Sequence, residues 1–143
     1  MKDLERAKEL LRRDGYTCVL VRGETVYTTS LRGVKPLLQW LDGGTQAQGF
    51  RAADKVVGKA AAYLYVLLGI HAVHANVISE PAVEVLRHHG IGVSFDSCVA
   101  AIRNRTDTGF CPMEQAVMEV TTPEQALAQI RLTVARLAAE SGN

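Results

Sequence analysis

Two short stretches of this 143-residue chain hold side chains suited to chemistry: DKVVGK at 54–59 and NRTDTGFCPME at 104–114. In the second, Cys111 precedes Pro112, and Glu114 follows three residues on. Proline suits the first helical position, so Cys111 is expected as the N-cap and Glu114 at the third helical position. There the carboxylate can reach back to a backbone N–H, as in a capping box. Cysteine has no oxygen and caps weakly, so its place asks for a reason other than helix stability. A helix N-terminus stabilises the thiolate, the nucleophilic and metal-binding form. The charge of Glu114 opposes that effect unless it is protonated or paired. Arg103 and Arg105, on either side of Asn104, can supply the opposite charge or grip a phosphate. The plainer alternative is a small half-buried cap with surface arginines, and Asn104 and Gly109 also suit a turn.

In the first stretch, ADKVVGKAAAYLYVLLG (53–69) is apolar on nearly every face and reads as one deeply buried helix. On that reading Asp54 sits in the first turn, where it complements the helix dipole, and Lys55 and Lys59 share a face. The three would form a charged cluster at a pocket mouth, able to bind an anion or move a proton. The competing reading makes Asp54 a cap-like residue and sends both lysines to solvent. Gly58, costly within a helix, suggests close approach by another segment or a ligand. The candidate catalytic residues are therefore Cys111, Asp54 and Lys55. The candidate ligand contacts are Lys59, Asn104, Arg105 and Glu114.

The elements that must position these groups follow from pattern. Leu4, Ala7, Leu10 and Leu11 mark a helix over 1–14, ended by Gly15. YTCVLVRGETVYTTS reads as a hairpin turning at Gly23-Glu24. Pro36 opens a short helix that Gly43-Gly44 stops, and 45–50 is expected as an exposed loop. HAVHANVI is a strand, and Ser79 caps SEPAVEVLRHHG. IGVSF and SCVAAI are two further strand candidates, CPMEQAVMEV a short helix, and TPEQALAQIRLTVARLAAE a final helix capped at Thr122. Strands alternating with helices after a hairpin predict a three-layer α/β domain with helices on both faces. We expect one domain over 1–143, an N-terminal helix (1–14) leading into a core (16–139).

Composition narrows the function classes. The formal charge is +1, with 16 basic and 15 acidic side chains, which leaves no electrostatic footprint for nucleic acid or an anionic membrane. The longest apolar run, AAAYLYVLLGI, is far short of the roughly 18–20 residues that span a bilayer. The N-terminus is charged and amphipathic rather than a secretory signal. Cys18, Cys98 and Cys111 are odd in number and scattered, which suits reduced thiols in the cytoplasm. Cys18 and Cys98 lie in apolar strand patterns and are expected in the core. His71 and His74 fall on opposite faces of a strand, and no metal-ligand spacing, phosphate loop or dinucleotide fingerprint occurs, so neither a metal nor a cofactor is expected.

DKVVGKAAA (54–62), VISEPAVEVLRHHGI (77–91) and NRTDTGFCPMEQAV (104–117) together resemble an uncharacterised bacterial family, domain of unknown function 1893. The resemblance covers roughly 16–139, and the last motif is its most specific part. It implies a cytidine-deaminase-like fold, a mixed sheet of about five strands between helical layers. The zinc-binding H-x-E and P-C-x-x-C of a deaminase are absent, so the likeness implies architecture without hydrolytic deamination. Three functions follow as expectations. The first is binding of a nucleoside-like or anionic small molecule in the residual pocket. The second is a metal-independent enzyme with Cys111 as nucleophile, and the third an interaction scaffold. Related folds commonly assemble, so a homo-oligomer is also expected.

Overall fold

The computed structural model describes residues 2–103, 109 and 111–141. Its frame is a five-stranded sheet in the order β2-β1-β3-β4-β5. A first helix, α1 (Lys2–Asp14), precedes β1 (Cys18–Arg22) and β2 (Thr25–Thr29), which pair as an antiparallel hairpin. The turn places Gly23 at φ 60°, the left-handed region that glycine enters without penalty. Helix α2 (Lys35–Asp42) leads to β3 (Arg51–Val57), antiparallel to β1. Helix α3 (Lys59–Leu68) then crosses to β4 (Ala72–Ser79), and α4 (Glu80–His88) crosses to β5 (Gly92–Val99), giving parallel pairs β3–β4 and β4–β5. The short α5 (Pro112–Ala116) and long α6 (Pro123–Glu140) complete the described chain. The architecture is α/β with a mixed sheet, as the residue pattern predicts.

Two cores explain why β1 reads as an unbroken apolar run. Cys18 and Leu20 pack with α2, α3 and α6 in the larger core, while Val19 and Val21 pack with Ala7 and Leu11 of α1. A strand covered on both faces has no polar side to alternate with. The same effect disguised β3. Residues 53–69 are not one helix: β3 ends at Val57, Gly58 is the extended N-cap, and α3 starts at Lys59. A run of mainly apolar residues across 56–68 leaves no change of period to mark the junction. Asp54 and Lys55 are thus strand neighbours with side chains on opposite faces, and Lys55 shares no helical face with Lys59.

Smaller corrections have similar causes. The two candidates IGVSF and SCVAAI merge into one continuous strand, β5, that ends at Val99 before Ala100, Ala101 and Ile102, and Cys98, on this edge strand, is exposed. The helix begun at Pro112 stops at Ala116. Ala47 and Phe50, in the loop expected to be exposed, are buried, and Phe50 stacks on Tyr27 with ring centroids 5.3 Å apart. The caps at Ser79 and Thr122 are present: their hydroxyls accept from the backbone N–H groups of Ala82 and Gln125, each at 3.2 Å.

Candidate functional site

At the junction of β1, β3, α2, α5 and α6 lies a cavity of about 870 Å³. Thr17, Cys18 and Asp54 form part of its wall, Cys111 and Glu114 another part. Leu31, Pro36, Ala61, Ile102, Met113 and Leu137 make much of the surface apolar, and Arg32, Lys35 and Arg103 also border it. The two stretches singled out by residue type therefore meet around one hollow, although 54 and 111 are far apart in the chain.

Asp54 is its most perturbed acid. Tyr65, fully buried on α3, donates its hydroxyl to Asp54 Oδ2 at 2.5 Å, and the Val56 N–H donates to Oδ1 at 3.3 Å. The Cys18 Sγ lies 3.1 Å from the same hydroxyl. Burial pushes the Asp54 carboxyl up to about 6, against the lowering effect of these hydrogen bonds. Burial, with the negative charge of Asp54, also raises the Cys18 thiol and the Tyr65 phenol well above their usual ranges. Cys18 and Tyr65 therefore stay neutral, and Asp54 exchanges its proton around pH 6. Tyr65→Phe is expected to leave Oδ2 without its donor, moving the Asp54 titration above about 6 and costing about 1–2 kcal/mol near pH 7. A carboxyl-resolved NMR titration of the variant checks the direction, and an unmoved titration would contradict the assignment.

Glu114 does not serve its own helix. Its carboxylate accepts from the backbone N–H groups of Lys59 at 2.7 Å and Ala60 at 3.1 Å, capping α3 instead. Such orphan N–H groups favour an anion there. Burial raises the Glu114 carboxyl, and the two backbone bonds and the Lys59 charge pull it back. Gly58 is the close approach that its position suggested: a Cβ there would lie 2.5 Å from the Glu114 carboxylate. The neighbouring segment is a carboxylate, not a ligand.

The remaining candidates divide. Cys111 is half-buried at the N-cap of α5, makes no side-chain capping bond, and borders the cavity. Lys55 is exposed and also borders a second, polar cavity of about 640 Å³ beneath α1, with His74, Asn76 and Asp96. Lys59 turns away, donating from Nζ to the Met118 carbonyl at 3.0 Å. Asn104 and Arg105 lie outside the described residues. Sequence reasoning passed over Tyr65 and Cys18. A tyrosine inside AAAYLYVLLG was the available sign, since a buried hydroxyl requires a partner. Arg32 and Lys35 carried no such sign.

The zinc site of a deaminase does not fit these residues. The helix starts read Gly58-Lys59-Ala60 and Ser79-Glu80-Pro81, and no three His, Cys, Asp or Glu side chains converge among the described residues. No helix among them is long and apolar enough to cross a membrane.

Comparison with known proteins adds the following. None of the curated proteins searched matches the chain. A crystal structure of a DUF1893 family protein from Thermotoga maritima superposes with a TM-score of 0.84 at 25% identity, covering 94% of this chain and 90% of that one. A diaminohydroxyphosphoribosylaminopyrimidine deaminase/5-amino-6-(5-phosphoribosylamino)uracil reductase, also from Thermotoga maritima, reaches a TM-score of 0.42 at 16% identity, over 66% of this chain and 35% of that one. Residues 6–133 match the family model described as a domain of unknown function, DUF1893, so the chain belongs to the DUF1893 family.

Proposed function

We propose that the cavity beside Asp54 binds a small molecule with a hydrogen-bonding, nucleoside-like part and an anionic group. The observation that supports this most is Asp54 itself. An ionisable group held half-buried at a pocket wall, its carboxyl up near 6, is a cost that burial of a neutral side chain would avoid. Around pH 6 it offers both an acceptor and a donor, while the apolar walls suit a flat ring and Arg32 and Lys35 suit a phosphate or carboxylate. Lys55 and Glu114 take different parts in this reading: Lys55 stands at the margin, and Glu114 is occupied with α3.

The test is thermal denaturation against nucleosides, nucleotides and inorganic phosphate. A ligand present at about 100 times its dissociation constant adds about 2.7 kcal/mol of stability. We expect at least one compound to do so, with the gain lost in Asp54→Asn and the phosphate-dependent part lost in Arg32→Ala with Lys35→Ala. No response to any compound would defeat the proposal and leave the scaffold reading ahead.

A metal-independent enzyme with Cys111 as nucleophile is the second reading, favoured by the thiol sharing the cavity with Asp54. Here the Cys111 thiolate would displace a leaving group from a bound acyl or alkyl donor, that group departing with the thiol proton, and the protein mass would rise by the acyl or alkyl group kept on sulfur, less one hydrogen. Under the binding reading the same compound only slows labelling of Cys111 by iodoacetamide. Intact-mass spectrometry separates the two.

A further inference from the structure

Strand β5 is an edge of the sheet, and six of its eight residues are exposed. The opposite edge, β2, has five residues, of which three are half-buried. Long edges are ordinarily blunted by lysine, proline or a bulge, because their unpaired N–H and C=O groups invite another strand. GVSFDSCV contains no proline and no cation, and Phe95 stands 38% exposed in its middle. No backbone hydrogen bond joins its outer side to another element among the described residues.

We propose that two copies of this chain join along β5, antiparallel about a two-fold axis, making one continuous sheet. The sequence of the strand selects the register. Across a two-fold perpendicular to the sheet, opposed residues point to the same face, so one residue must face its own copy. Centring on Asp96 would oppose two carboxylates, which is destabilising. Centring on Phe95 pairs two aromatic rings and sets Ser94 opposite Asp96 of the second copy, hydroxyl to carboxylate. Both Ser94 and Asp96 also touch His74, Ser94 Oγ lying 2.7 Å from Nδ1 and Asp96 Oδ1 3.4 Å from Nε2. These contacts leave each oxygen capacity for another bond.

Helix α4 extends the complementarity. It packs on β4, β5 and α3, while α2 and α6 are the other helices packed against α3 alongside α5, so α4 flanks the β5 side of the layer. Its exposed residues are Glu80 and Glu84 toward the N-terminus and Arg87 and His88 at the C-terminus, and none is in an ion pair among the described residues. The same two-fold runs the helices antiparallel, bringing the acidic half of each toward the basic end of the other. A strand alone is a small interface; paired helices beside it supply the additional area a stable dimer requires.

Light scattering on the full chain over a dilution series tests the pairing. The expected mass is twice 15.5 kDa, falling to 15.5 kDa for Phe95→Lys, which opposes two cations at the self-facing position. In a Cys98→Ser background, Phe95→Cys is expected to form an interchain disulfide under mild oxidation, because opposed Cα atoms lie about 4.5–5.5 Å apart. Ser97→Cys, whose counterpart is Val93, is expected not to. The cysteine pair reads the register even if the lysine variant folds poorly. A monomeric wild type at every concentration, a dimer indifferent to Phe95→Lys, or equal cross-linking at 95 and 97 would overturn the proposal.

Discussion

Gly58→Ala is expected to destabilise the protein by about 2–4 kcal/mol, far more than a methyl group on a permissive backbone normally costs. Gly58 has φ −99°, a conformation any residue adopts, so the backbone raises no objection. The obstruction is Glu114, whose carboxyl atoms would lie 2.5–2.6 Å from the new Cβ. That carboxylate cannot step aside without releasing the N–H groups of Lys59 and Ala60 at the start of α3. Losing a helix cap costs about 1 kcal/mol, and the forced displacement adds overpacking of about 1–3 kcal/mol. The pair must therefore be strongly coupled. Glu114→Ala alone should cost about 1–2 kcal/mol, and Gly58→Ala in the Glu114→Ala background should add little. Chemical denaturation of the four proteins completes the cycle; additive losses would show that Glu114 does not occupy this position in solution.

Asp54→Asn is expected to act in the opposite sense on stability while removing ligand binding. Burial lifts the Asp54 carboxyl from 3.8 to about 6. Below about pH 4 the group is protonated in folded and unfolded chains alike, and its ionisation costs folding nothing. Between about pH 4 and pH 6 the unfolded chain loses the proton first, so stability falls as pH rises. Above about pH 6 the whole cost, up to about 3 kcal/mol, is present. Asparagine keeps an acceptor for the Tyr65 hydroxyl but not a second one for the Val56 N–H, whose 3.3 Å bond is weak. Allowing about 1 kcal/mol for that loss, the variant should gain about 2 kcal/mol at pH 8 and lose about 1 kcal/mol at pH 3.5, where no ionisation cost offsets it. Urea titrations at the two pH values provide the check. Equal stability of variant and parent at both would mean that Asp54 is well solvated. A gain in stability bought by loss of binding is the usual mark of a group kept for function.

Much of this molecule was already determined by residue order alone. The hairpin around Gly23, the caps at Ser79 and Thr122 and the alternation of later strands and helices rest on local rules that distant contacts did not override. Membership of the family was likewise carried by short quoted motifs. The break at Gly58 was not legible, because α3 is buried on nearly every face and the mainly apolar residues 56–68 show no period that would tell strand from helix. That misreading placed Asp54 on a helix dipole and paired Lys55 with Lys59.

What the tertiary structure decided is who meets whom. It turned Glu114 from a local capping box to the cap of another helix, because the orphan N–H groups at Lys59 and Ala60 lie within its reach. It brought Tyr65 and Cys18 to Asp54, a cluster whose members lie on β1, β3 and α3. It also exposed Cys98, which an apolar strand pattern suggested was buried, by placing β5 at the edge of the sheet, with β4 its one strand partner among the described residues. Local sequence determines the elements through interactions a few residues long. Proton affinity and reactive neighbours depend on burial and on atoms within a few ångströms, which only the packing of distant segments sets.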